Sequence, residues 1–328
     1  MHAMTVDEGR NLRWAEVPDA VAGPGEVLIE VHAAALNRAD LLQRAGNYPS
    51  PPGWPDRMGL EVGGVVLSAP VGSRWVTGNK VCALLGGGGY GEKINVPENM
   101  VLPVPAGLTM AEAASLPEAY ATAYLNLFLE ADLKAGETVL IQAGASGLGI
   151  AAIQLAKVFG AKVMTTVGSE AKAEAVRRLG ADWVVNRKTG DLGQMMEDHP
   201  VNIALDCAGG ADLGKHLEKM APGGRWILIA TLGGETSELA LRPVLKRGLR
   251  LIGSTLRSRS TEMKGRILAD LESRVWPKIE AGLIRPVLYK TLPMADAEAA
   301  HTILSRNENT GKVVLTISRE TRTVPRTG

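Results

Sequence analysis

Cysteine is scarce: the 328 residues hold two, Cys82 and Cys207, each inside an apolar run. That excludes a disulfide framework, and also a zinc site of the four-cysteine type. The five histidines (His2, His32, His199, His216, His301) show no metal-ligand spacing, and each reads as a surface or locally bonded residue. No apolar run is long enough to span a bilayer. The start, Met1-His-Ala-Met-Thr-Val-Asp-Glu, has neither the basic residues nor the apolar stretch of a signal peptide. An excess of one charge is missing too: 36 Lys+Arg against 35 Asp+Glu leave a formal net charge of +1, which points to neither nucleic acid nor an anionic membrane. The expectation is a cytoplasmic globular protein, and its length makes two domains the default.

From Thr138 to Ser254 short apolar runs alternate with amphipathic stretches, which is how parallel β-α-β units read. The predicted strands are Thr138 to Gln142, Lys162 to Val167, Trp183 to Asn186, Val201 to Asp206, Arg225 to Ala230 and Arg250 to Ser254. They imply a doubly wound, Rossmann-type sheet. A helix is expected over Ile150 to Phe159, where apolar residues recur at helical spacing and Gly160 supplies a stop. The first 110 or so residues instead show β-rich patterning broken by Gly23-Pro24-Gly25, Pro51-Pro52-Gly53 and Gly86 to Gly89. After Ser254 come a long amphipathic stretch ending near Gly282, a run at Val287 to Leu292, a short helix from Asp296 to Arg306 and a last strand, Lys312 to Ile317. These are expected to return to the N-terminal domain. Residues 318–328 lack apolar periodicity and read as a tail.

The strongest motif is Gly144-Ala-Ser146-Gly147-Leu148-Gly149, because it follows a strand and opens a helix. Glycines there permit a tight turn, and the helix N-terminus directs free N–H groups and positive dipole potential at a pyrophosphate. Ser146 stands where the second glycine of G-x-G-x-x-G would be. The motif predicts a dinucleotide.

That turn, with Ala35-Leu-Asn37-Arg38-Ala39-Asp40-Leu-Leu-Gln43-Arg44, Gly59-Leu60-Glu61-Val-Gly63-Gly64, Leu205-Asp206-Cys207-Ala-Gly209-Gly210 and Leu256-Arg257-Ser258-Arg259, resembles the zinc-less quinone oxidoreductases of the medium-chain dehydrogenase/reductase superfamily. These are related to zeta-crystallin. The pattern is most similar to the branch containing the quinone oxidoreductase induced by a tumour suppressor in animals. The resemblance implies a GroES-like β-rich domain over residues 1–118, an NADPH-binding domain over 119–259, a return to the first domain over 260–317, and a homodimer. It also implies no metal: Asn37 and Leu60 stand where zinc-dependent relatives carry a cysteine and a histidine. Without a Lewis acid, acceptors that take hydride readily are favoured, namely a quinone or another activated carbonyl compound. A second reading is an enone or enoyl-thioester reductase. A third is a nucleotide-binding structural or regulatory protein.

The candidate residues each carry a plainer alternative. Asn37 is an N-cap or lies near the nicotinamide ribose. Tyr48 is a surface-packed aromatic beside a turn, or it borders the nicotinamide and donates to a substrate oxygen. Ser146 tolerates the turn or touches the diphosphate or substrate. Thr122, in the stretch that enters the nucleotide domain, is a buried hydroxyl bonding one helical turn back, or a cofactor contact. Cys207, Gly233, Thr255 and Leu256 lie at strand ends, where ligands of open α/β sheets bind; Cys207 reads as lining, since nothing lowers its pKa. Lys312 is an exposed lysine starting a strand, or a cofactor neighbour. NADPH is expected to be preferred to NADH because the second strand ends in Gly168-Ser169 rather than in an acid, with Lys172 one turn on and Arg187 after the third strand, where it pairs with the phosphate or is a solvated surface cation. Glu170 is expected to point away.

Overall fold

The computed structural model describes residues 1–317; the expected tail, 318–328, lies outside the described residues. The chain begins with β1 (His2–Val6) and β2 (Leu12–Glu16), paired as an antiparallel hairpin. Next come β3 (Glu26–Ala35), α1 (Arg38–Arg44), β4 (Glu61–Ser68), β5 (Lys80–Leu84), β6 (Lys93–Pro97) and β7 (Val101–Pro103). Two short helices, α2 (Met110–Ala114) and α3 (Pro117–Tyr124), lead out of this region. A widened helical turn, Leu125–Glu130, continues α3.

The alternating segment follows as β8 (Thr138–Ile141), α4 (Gly147–Val158), β9 (Lys162–Val167), α5 (Glu170–Arg178), β10 (Trp183–Asn186), α6 (Leu192–Asp198), β11 (Ile203–Asp206), α7 (Leu213–Leu217), β12 (Arg225–Leu228), α8 (Leu241–Arg247) and β13 (Arg250–Gly253). Its six strands are all parallel, in the order β10-β9-β8-β11-β12-β13. The order reverses between β8 and β11, so the crevice outside their carboxyl ends is the natural ligand site of such a sheet.

The chain then runs through α9 (Thr261–Arg274), α10 (Trp276–Glu280), β14 (Leu288–Pro293), α11 (Ala297–Ser305) and β15 (Lys312–Thr316). β15 pairs antiparallel with β3, and β14 pairs with β15, so the C-terminal strands complete the N-terminal seven-stranded sheet, with β6 also on β3. The GroES-like domain and the Rossmann-type sheet are both present as expected.

Several details differ from the sequence reading. The long amphipathic stretch divides between α9 and α10, because Pro277 sits in the first turn of a new helix, where its missing N–H costs nothing. The fourth parallel strand begins at Ile203, not Val201. α4 starts at Gly147, three residues before the apolar periodicity. No helix among the described residues is long and apolar enough to cross a membrane.

Candidate active site

The turn after β8 is shaped by close approach. Ala143 takes a positive φ of 55°, and Ser146 caps α4 by accepting the Gly149 N–H at 3.0 Å. A Cβ on Gly149 would lie 2.4 Å from the Ala143 carbonyl oxygen, so the first turn of the helix rests on the loop that feeds it. A Cβ on Gly147 would lie 2.4 Å from the Cδ of Lys312, whose side chain runs across that glycine.

A cleft of about 460 Å³ opens at this switch point. Ser146, Gly147, Leu148, Gly168 and Ser169 line it from the parallel sheet; Asn37, Arg38, Arg306, Asn307 and Lys312 line it from the other domain, and Cys207 contributes from the end of β11. Burial pushes the Cys207 thiol up to about 11, so it stays protonated, in keeping with a lining role.

One end of the cleft is cationic. Lys172 Nζ donates to the Asn307 carbonyl at 2.5 Å, Arg38 donates to Asn307 Oδ1 at 2.6 Å, and the Arg187 guanidinium sits over Gly168. Among the described residues none of these three cations has a carboxylate within 4.0 Å. Burial, then the charges of Arg187 and Arg38, hold the Lys172 ammonium below its usual pKa. Glu170 pairs with Arg177 at 2.7 Å and leaves the cleft without an acid at that strand end.

The other end rests on a buried polar network. Lys312 is 6% exposed; its Nζ pairs with Glu61 and donates to Asn37 Oδ1 at 2.8 Å and to the Leu36 carbonyl at 3.0 Å. The exposed-lysine alternative is thereby corrected: β15 is an interior strand, and its first side chain turns inward. Asn37 occupies the N-cap of α1, but its amide serves the network, donating from Nδ2 to Glu61 at 2.9 Å. The Glu118 N–H donates to the other Glu61 oxygen at 2.9 Å. Asp40, fully buried, accepts from the Asn37 and Gly59 N–H groups at 2.7 and 3.0 Å and from Tyr90 Oη at 3.1 Å. Burial raises the Asp40 carboxyl to about 6; burial and the charge of Glu61 raise Glu118 to about 7.

Tyr48 lies outside the lining of the main cleft, on the loop between α1 and β4, with the Arg257 guanidinium 4.0 Å above its ring centroid. Burial, then the charge of Glu118, raise its phenol pKa, while Arg257 pulls the other way. Gly144 and Gly149 stand behind the turn, with Gly144 against Thr165. Thr122 Oγ1, half-buried rather than buried, is 3.5 Å from Glu118 one turn back. Gly233 donates to the Ala208 carbonyl at 2.7 Å, Thr255 bonds to Ser258, and Leu256 is buried; none of these lines the cleft. His301 corrects the reading of the histidines. It is 2% exposed, both ring nitrogens lack a hydrogen-bond partner among the described residues, and burial lowers its pKa to about 4 beside the Tyr90 ring. Sequence reasoning passed over Asp40, Glu118, Arg38 and Arg257; Arg38, Asp40 and Arg257 stood inside quoted motifs, whereas Arg306 and Asn307 stood in none.

Residues 23–106 match the family model described as alcohol dehydrogenase GroES-like domain, and residues 147–272 match the one described as zinc-binding dehydrogenase. Among the described residues no group of three or more His, Cys, Asp or Glu is placed to hold a metal ion. At Asn37, where the resemblance implies a ligand in zinc-dependent relatives, the amide instead meets the ammonium of Lys312, itself a cation, so this donor set does not fit zinc. The chain is 30% identical to a quinone oxidoreductase of Rattus norvegicus over 297 residues, 88% of each chain. Among solved structures it resembles the quinone oxidoreductase of Thermus thermophilus, crystallised also with NADPH, at a TM-score of 0.83 and 30% identity over 97% of this chain and 100% of that one. It also resembles the JamJ enoyl reductase, at a TM-score of 0.85 and 26% identity over 97% and 99%.

Proposed function

We propose that this chain, which belongs to the medium-chain dehydrogenase/reductase superfamily and is quinone oxidoreductase-like, reduces quinones or similarly activated carbonyl compounds with NADPH and without a metal. The observation that carries the cofactor choice is the trio Arg38, Lys172 and Arg187, three cations that have no acid partner among the described residues and that converge near the strand end where NAD-binding sheets carry an acid. A 2′-phosphate is the group that such a cluster suits.

Bound NADPH would supply the hydride. The N-terminus of α4, with Ser146, Gly147, Leu148, Gly149 and Gly144 behind them, would hold the diphosphate; Gly168 and Ser169 would flank the adenosine ribose. Asn37 and Lys312 would set the nicotinamide ribose, and Cys207 would line the nicotinamide end. Thr122, Gly233, Thr255 and Leu256 complete the proposed cofactor set on the family pattern alone. Tyr48, kept protonated, would donate to the acceptor oxygen as negative charge develops on it.

Likeness to an enoyl reductase supports a second reading, hydride delivery to an activated C=C. NADPH oxidation followed with a panel of quinones, enones and acyl thioesters separates the two. Binding without any turnover would point to the structural or regulatory reading. For the cofactor, Lys172→Ala or Arg187→Ala should weaken NADPH by roughly tenfold to a hundredfold and leave NADH nearly unchanged. Equal wild-type affinity for both cofactors would overturn the assignment.

A homodimer is also proposed, on the edge strand β13 and its neighbour α8. Leu241, Leu245 and Leu251 are 74%, 83% and 46% exposed there. The Leu256-Arg257-Ser258-Arg259 stretch supports placement in the tumour-suppressor-inducible branch. The domain limits are proposed after residues 118 and 259, the first inside α3 and the second just before α9. Two unpaired cysteines suit a cytoplasmic setting.

A further inference from the structure

The loop between α1 and β4 carries Tyr48 and has no regular secondary structure from residue 45 to residue 60. Pro49, Pro51, Pro52 and Pro55 remove four N–H donors from it; Trp54 donates to the Pro51 carbonyl at 3.2 Å, Arg57 to the Pro55 carbonyl at 2.8 Å, and Ser50 Oγ accepts from Gln43 of α1 at 2.9 Å. Its Tyr48 end is held from outside. Arg257, four residues beyond the end of β13, stacks its guanidinium 4.0 Å over the Tyr48 ring and donates from Nη2 to the Pro49 carbonyl at 2.6 Å. The Arg257 backbone is held in turn: its carbonyl accepts from the buried Lys264 at 2.9 Å.

Arg257 is not used for a salt bridge. Among the described residues it has no carboxylate within 4.0 Å, whereas Arg259 next to it pairs with Glu130. Its Nη1 is buried without a hydrogen-bond partner among the described residues. A half-buried guanidinium that forgoes an acid and takes an aromatic face and a loop carbonyl has planar geometry, rather than charge alone, as its contribution.

We infer that Arg257 is a positioning residue that clamps the Tyr48 loop of the GroES-like domain onto the end of the cofactor domain, so fixing the phenol over the acceptor. The inference rests on the proposed role of Tyr48. It predicts that Arg257→Gln lowers kcat on a good quinone by roughly three- to thirtyfold while the NADPH Kd holds. Arg257→Lys, which keeps the charge but loses the planar stack, should recover only part of that loss. In a Tyr48→Phe background, Arg257→Gln should cost nothing further. A readout independent of turnover is amide hydrogen exchange: peptides spanning 45–58 should exchange faster in Arg257→Gln at unchanged Tm. If wild type reduces no quinone, the functional reading fails, and the exchange experiment still decides the clamp. Unchanged exchange over 45–58, full rescue by lysine, or an equal cost of Arg257→Gln with and without the Tyr48 hydroxyl would overturn the inference.

Discussion

Lys312 is a cation enclosed by an amide, a carbonyl and the carboxylate of Glu61, a residue with no exposed surface. Such a pair contributes little net stability over an apolar substitute, but removing one member strands the other. Lys312→Met should therefore lower stability by about 3 to 5 kcal/mol, measured by denaturant unfolding, and Lys312→Met with Glu61→Gln should recover much of it. Glu118 gives a pH test. Its folded pKa of about 7 lies above its ordinary 4.5, so its stabilising contribution is complete below about 4.5 and is lost as pH rises through about 7. His301 acts in reverse, losing stability as pH falls from 6.5 through about 4. Comparing Glu118→Gln with wild type removes that second contribution, and the variant's Tm advantage should grow between pH 4.5 and 8. A constant difference would show that Glu118 does not titrate in that range. The sequence could name Lys312 and Glu61 but not pair them, since they come from strands far apart in the chain. Nor could it show that Asp40 and His301 are buried, because burial of a polar group is decided by what packs over it.

At the level of elements, the glycine turn and its six strands were legible because period and punctuation agree: apolar runs, a turn, then a helix capped by Ser146. The helical turn Leu125–Glu130 was not, since its Leu-Asn-Leu-Phe-Leu-Glu sequence gives no sign of a widened coil. The turn itself can be tested. In Gly149→Ala the new methyl would meet backbone of Ala143 and Gly144 at 2.4 and 2.6 Å, and backbone cannot rotate away. We expect a loss of roughly 1 to 3 kcal/mol in stability, with NADPH affinity falling beside it. Gly253→Ala, with nothing within 4 Å of the added atom, is the control and should leave both nearly unchanged. If the two variants behave alike, the close packing of α4 on its turn is not what the cleft depends on.

For the whole molecule, the exposed edge of β13 predicts assembly. Leu245→Glu with Leu251→Lys should reduce the sedimentation coefficient to that of a monomer while leaving the fold intact, because both side chains project from exposed positions. Unchanged sedimentation would place the interface elsewhere or remove it. The interleaving of the two ends has a different consequence. The contact from Lys312 to the Leu36 carbonyl spans 276 residues, and the cleft wall that faces the parallel sheet is built from both ends of the chain. During synthesis the parallel sheet can fold while β15 is still in the ribosome, but the wall bearing Lys312 does not yet exist, and Glu61 has no counter-ion. A nascent chain should thus acquire a nucleotide turn well before it acquires a nucleotide site. Ligand capture would then report that translation has passed β15.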